Sequence, residues 1–188
     1  MSTQKAPLEK FLNKLRTKKI IDYVRSKKVL DFGCGQNAWT AQFLEKYCKE
    51  IVGIDQSIDK NVAIIGNIPV HNSLSAIQKK KFDVITMLAV IEHIKPIEFR
   101  ELLSEFRNYT TEQSIIVATI PTVKARPILE FLSYRLRLID RSQITDHKAY
   151  YDDLWINEML YQTSWRVEKY QTFQFGLNSL VVLSRAEE

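Results

Sequence analysis

The sequence predicts an α/β fold: a Rossmann-like, doubly wound, mostly parallel sheet with an antiparallel C-terminal edge hairpin. Three observations predict it. Short apolar runs alternate with segments of helical period as far as residue 121, the mark of parallel strands joined by crossover helices. The first of those runs stops at a glycine pair, Gly33 and Gly35, where a strand must turn sharply into a helix. Near the end, two apolar segments flank Gly176 like the arms of a hairpin.

Taken in order, residues 7–25 carry Leu8, Phe11, Leu12, Leu15, Ile20, Ile21 and Val24 at near-helical spacing, an amphipathic helix capping the domain. Residues 28–32 form a short strand, 38–47 a helix, and 50–54 a strand that ends at Asp55. A short strand at 61–64, a loop through 69–75 and a strand at 82–88 follow. The pattern then predicts a helix over 96–109, a strand over 114–120, helices over 127–139 and 154–162, and the hairpin arms 165–175 and 177–184. With 188 residues and no repeat or linker, the chain reads as one domain over 1–188, with a capping helix in 1–27 and an acceptor-side cap in 122–163.

Composition narrows the function classes. The net charge of +5 permits anionic partners, but the basic residues near the start, from Lys5 to Lys28, are not interleaved with aromatics. They read as a solvated helix face, and a nucleic-acid partner is not expected. Cys34 and Cys48 form no Cys-x-x-Cys pair, and no leader-like or membrane-spanning apolar run of roughly 18 residues occurs, so a reduced cytoplasmic setting is expected. No metal site is expected. Arg126, Arg135, Arg137 and Arg141 accompany an apolar helix over 127–139, which suits a core-facing helix with snorkelling arginines, or else a peripheral contact with a membrane or lipid-linked substrate.

The glycine turn VLDFGCGQNAW is a ligand cradle, yet its glycines do not decide the ligand. Gly33, Gly35 and Ala38 also satisfy the dinucleotide pattern, with an acid about 20 residues on. Asp31 discriminates. A dinucleotide brings a pyrophosphate to this turn, which an adjacent carboxylate repels, whereas S-adenosylmethionine brings ammonium and sulfonium groups that a carboxylate suits. The helix N-terminus and backbone amides can then receive the cofactor's carboxylate. Asp55 is placed to accept hydrogen bonds from the ribose hydroxyls, Gln56 to line the adenine pocket, and Asn72, Ser73 and Leu74 to meet adenine edges.

The runs VLDFGCG, VGIDQS and KFDVITMLAVIEHI resemble motif I, its acidic follower and the fourth-strand motif of class I S-adenosylmethionine-dependent methyltransferases. The likeness extends over most of the chain and is nearest to the small-molecule branch of quinone-biosynthesis and glycan-associated enzymes. It implies that Asp31, Gly33, Cys34 and Gly35 hold the methionine end and Asp55 the ribose. It further implies that Leu88 and Ala89 offer backbone near the transferable methyl, and that Arg16 meets the cofactor from the first helix. S-adenosylhomocysteine is the implied product.

A hydroxyl acceptor must lose its proton, and histidine is the side chain best tuned for that near neutral pH. His93 stands at the mouth of the fourth strand, and His147 resembles a histidine that faces the acceptor in the quinone-type enzymes; both are catalytic candidates. His71, in the adenine loop, is read as structural. The fourth-strand motif lacks an Asn-Pro-Pro-Tyr sequence, which argues against base or glutamine N-methylation. The expected function is methyl transfer to a small molecule, such as a sugar or a lipid-linked glycan intermediate. Competing readings are an NAD-dependent oxidoreductase and a noncatalytic cofactor-binding protein.

Overall fold

The computed structural model describes residues 7–59, 62–77, 80–125 and 153–186, and its side chains from 13 and from 156 in the first and last segments. Helices α1 (Pro7–Lys19) and α2 (Ile21–Val24) lead into β1 (Lys28–Phe32), α3 (Trp39–Leu44) and β2 (Glu50–Ile54). There follow β3 (Val62–Ile65), β4 (Ile68–His71), β5 (Phe82–Leu88), α4 (Pro96–Phe106) and β6 (Thr110–Pro121). Helix α5 (Asp153–Leu160) and strands β7 (Trp165–Phe173) and β8 (Asn178–Arg185) complete the described chain. The predicted helix over 127–139 lies outside the described residues. Among those residues no helix is long and apolar enough to cross a membrane.

The eight strands form one sheet in the order β3-β4-β2-β1-β5-β6-β8-β7. Pairs β1–β2, β1–β5, β2–β4 and β5–β6 are parallel, and β8 pairs antiparallel with both β6 and β7. The expected doubly wound sheet with an antiparallel C-terminal hairpin is therefore present. The central strands are nearly continuous in apolar residues because both faces are covered. Period-two alternation then divides them. Leu30, Ile85 and Ile116 join one core with Phe99, Leu103 and Phe106 of α4 and Ile156 and Met159 of α5. Val29, Val84 and Val117 join the other, with Val24 of α2 and Ala41 and Leu44 of α3.

Several expected boundaries change, among them that of the strand expected over 114–120, which runs from Thr110 to Pro121 as β6. The first helix breaks at Ile20 into α1 and α2. The segment expected as a loop from 69 contains β4, which forms a hairpin with β3 across a turn at Gly66 and Asn67. Gly66 takes φ 64°, which a tight hairpin turn requires. Pro69 hides this strand from a propensity reading, yet Ile68 and Val70 on either side of it are buried.

The winding reverses between β1 and β5: from β1 the chain moves outward to β2, and from β5 outward the other way to β6. In such a sheet the crevice opens beyond the carboxyl ends of the strands at this reversal. Asp31, the glycine turn, Asp55 and the segment after Leu88 all sit at these ends.

Candidate functional site

Asp31 is the next-to-last residue of β1, in register with Thr86 of β5. Its carboxylate is 2% exposed. Oδ1 accepts a hydrogen bond of 2.7 Å from the Thr86 hydroxyl, and Oδ2 has no hydrogen-bond partner among the described residues. Burial pushes its pKa up to about 7; Thr86 opposes the rise, the negative Asp55 adds to it, and the Ala41 backbone opposes it slightly. A buried carboxylate with an orphaned oxygen fits the ammonium group of an amino-acid ligand.

After β1 the chain turns through Gly33 and Gly35, with φ 77° and 72°. The amides of Gly33 and Cys34 both donate to the Ile54 carbonyl, at 2.8 and 3.0 Å. The amide of Gly35 donates to Asp55 Oδ2 at 2.7 Å. These three amides are thus engaged at the end of β2. The two glycines differ in purpose. A Cβ on Gly33 would lie 2.5 Å from Val90 Cγ2, so this glycine admits the turn beneath Val90; a Cβ on Gly35 would meet nothing within 4 Å, leaving the backbone open to a ligand.

Asp55 closes β2. Besides Gly35, its carboxylate accepts from the Ser57 amide at 3.0 Å and, through a short hydrogen bond, from the Ser57 hydroxyl. It therefore pins the glycine turn while lining the cleft, and Oδ2, which accepts one hydrogen bond against two on Oδ1, retains acceptor capacity for a ribose hydroxyl. Tyr109 fixes the next segment by donating to the Leu74 carbonyl at 2.9 Å. Ser73 donates to Asn72 Oδ1 at 3.3 Å.

These elements enclose a cleft of about 660 Å³, within the usual range for a small-molecule site. Among the residues proposed from sequence, Gly33, Asp55, Gln56, Asn72, Ser73, Leu74, Ala89 and His93 line it. Asp31, Cys34, Gly35, Leu88 and Arg16 do not line this cleft. Cys34 is 8% exposed and packs in a core cluster, leaving only its backbone for a ligand; burial also pushes its thiol pKa far up. Ala89 holds φ 58° and donates its amide to the Thr119 carbonyl at 2.9 Å, so its carbonyl is the backbone group left to offer. His93 belongs to a helical turn, Ile91–His93, and His147 lies outside the described residues.

Sequence reading missed one wall of the cleft. Glu98, Glu101, Leu102 and Glu105 of α4 line it. Their spacing, three and then four residues between the acids, places them on one helix face, which was the available signal. No Lys or Arg lines the cleft among the described residues, and no group of three or more His, Cys, Asp or Glu among them is arranged to hold a metal ion.

The profile of a protein family described as Methyltransferase domain matches residues 3–169. No curated protein sequence matches the chain. Among solved structures, the mitomycin 7-O-methyltransferase MmcR is similar with a TM-score of 0.68 at 12% identity, covering 93% of this chain and 54% of that one. The pyocyanin biosynthetic protein PhzM gives 0.66 at 13% identity, covering 92% and 55%. A SAM dependent methyltransferase from Archaeoglobus fulgidus gives 0.63 at 15%, covering 92% and 94%. The chain thus spans about half the length of the first two proteins and most of the third. At these identities the likeness is one of fold.

Proposed function

This chain belongs to the methyltransferase domain family, and from that premise we propose that it transfers a methyl group from S-adenosylmethionine to an uncharged small-molecule hydroxyl, such as that of a sugar. The observation that carries the reading is Asp31: a buried carboxylate beside the glycine turn, with one oxygen held by Thr86 and the other unpartnered among the described residues. That arrangement suits a ligand cation and repels a pyrophosphate, which weighs against a nicotinamide dinucleotide.

When bound, S-adenosylmethionine supplies an electrophilic methyl on a sulfonium, so that S-adenosylhomocysteine leaves as the acceptor oxygen bonds to carbon. The protein's part is alignment, which for in-line displacement can provide on the order of 7 kcal/mol of barrier lowering. Asp31 binds the ammonium and Asp55, through Oδ2, a ribose hydroxyl, while Gln56 and the 72–74 segment face adenine. Arg16, on the first helix, balances the charge of the cofactor's carboxylate. Ala89 and Val90 border the methyl, and His93, inside the cleft, takes the proton of the acceptor hydroxyl; His147 of the 122–163 cap is the alternative base. Glu98, Glu101 and Glu105 disfavour a phosphorylated acceptor by like-charge repulsion.

Incubation with tritiated S-adenosylmethionine and extract fractions, separated into small molecules, lipids, RNA and protein, tests the acceptor class. Label should enter the small-molecule fraction, at least tenfold less with His93→Gln if that imidazole is the base. Label confined to RNA or protein would overturn the proposed acceptor.

A further inference from the structure

Tyr109 is 7% exposed, and the chemistry above leaves it unused. It ends the helical turn Arg107–Tyr109, which joins α4 to β6, and its ring packs in the core cluster that holds Leu74, Ile77 and Phe106. A ring alone would serve that packing. The hydroxyl serves something else: it donates to the Leu74 carbonyl at 2.9 Å, across 35 residues of chain. Buried tyrosine hydroxyls usually find a partner, and this one finds the backbone of a residue that lines the cleft.

The segment it holds has only short-range hydrogen bonds of its own. The Ala76 amide donates to the Ser73 carbonyl at 3.3 Å and the Ile77 amide to the Leu74 carbonyl at 3.0 Å, while the Ser73 hydroxyl meets Asn72 and Ser75. These close one turn, Leu74–Ala76, without a side-chain cap at Ser73, and an isolated turn fixes many dihedrals for little bonding. The Leu74 carbonyl has a second lone pair, and Tyr109 occupies it. A peptide unit is planar and trans, so holding the Leu74 carbonyl also orients the Ser75 amide, and Ser75 lines the cleft. Three residues before Tyr109, the Phe106 ring meets that of Phe32, also in the cleft lining, at 5.4 Å and 82°. The junction of α4 and β6 thus braces the cleft at two points.

We propose that Tyr109 is a positioning residue for the adenine end of the cofactor: its hydroxyl holds the 72–75 segment in the one backbone conformation that reads the base. The inference rests on the cleft being the cofactor site. Tyr109→Phe keeps the ring and removes the hydroxyl. Its control is Ser114→Ala, which also removes a buried bond from a side chain to backbone, that of Ser114 to the Phe82 carbonyl at 2.7 Å, at a residue that does not line the cleft. Both variants and the wild type are titrated calorimetrically with S-adenosylhomocysteine and with S-inosylhomocysteine, and melted without ligand.

Hypoxanthine reverses the donor and acceptor of adenine at positions 6 and 1, so the wild type should prefer the adenosyl compound by at least about tenfold. Tyr109→Phe should bind S-adenosylhomocysteine about tenfold more weakly and S-inosylhomocysteine no more than about twofold more weakly, so that the preference nearly vanishes. Ser114→Ala should keep both affinities within about twofold, although each variant melts about 2–5 °C lower. An unchanged preference in Tyr109→Phe, an equal loss of preference in Ser114→Ala, or a wild type that binds both compounds alike would overturn the proposal. Failure of the wild-type protein to bind S-adenosylhomocysteine at all would instead defeat the cofactor reading on which the proposal stands.

Discussion

Asp31→Asn is expected to weaken S-adenosylhomocysteine binding by about 30-fold to several thousandfold, the about 2–5 kcal/mol lost when one partner of a buried charge pair is removed. The same substitution should leave the empty protein at least as stable at pH 8. The sign follows from the carboxyl's pKa, raised from 3.8 to about 7 in the fold. Between those values the folded state keeps a proton that the unfolded state has lost, so wild-type stability falls as pH rises through this window. Asparagine has no such titration. Melting curves from pH 4 to 8 should therefore show the variant gaining on wild type as pH increases; a variant that melts lower at pH 8 and binds normally would mean that Asp31 merely braces the sheet.

The second large effect is at Gly33. An alanine there must hold φ 77°, which costs about 1–2 kcal/mol, and its Cβ would lie 2.5 Å from Val90 Cγ2. Relieving that overlap by movement costs about 1–3 kcal/mol more. Gly33→Ala should thus lower stability by about 2–5 kcal/mol and disturb the cleft wall that Val90 forms. Adding Val90→Ala should return the steric part but not the backbone part, because φ is unchanged. Chemical denaturation of the single and double variants checks this, and a Gly33→Ala protein as stable as wild type would refute the close packing.

Much of this architecture is legible in local sequence. The runs at 28–32, 50–54 and 82–88 coincide with β1, β2 and β5 because apolar runs bounded by glycine, acid and loop residues leave little freedom. Strand β4 is harder to see, since Pro69 lowers its apparent propensity and its inner support comes from the parallel strand β2, which is not local to it. Asp31 and Asp55 could be placed at strand ends from sequence. The Thr86 hydrogen bond to Asp31 spans 55 residues and depends on β1–β5 register, which no local pattern encodes. The acidic face of α4 was overlooked for the opposite reason: exposed glutamates on a helix ordinarily signify solvation, and only the sheet's winding shows that this face borders the cleft.

The central claim is that a carboxylate at the end of β1 receives a cation. Calorimetric titration of the wild-type protein with S-adenosylhomocysteine near pH 7, in two buffers of different ionisation enthalpy, tests it directly, with NAD titrated alongside. One ligand should bind per chain with release of a proton from Asp31, the affinity weakening as pH falls below about 7, and NAD should give no saturable heat. Preferential binding of NAD, or S-adenosylhomocysteine binding without proton release and indifferent to pH, would contradict the account.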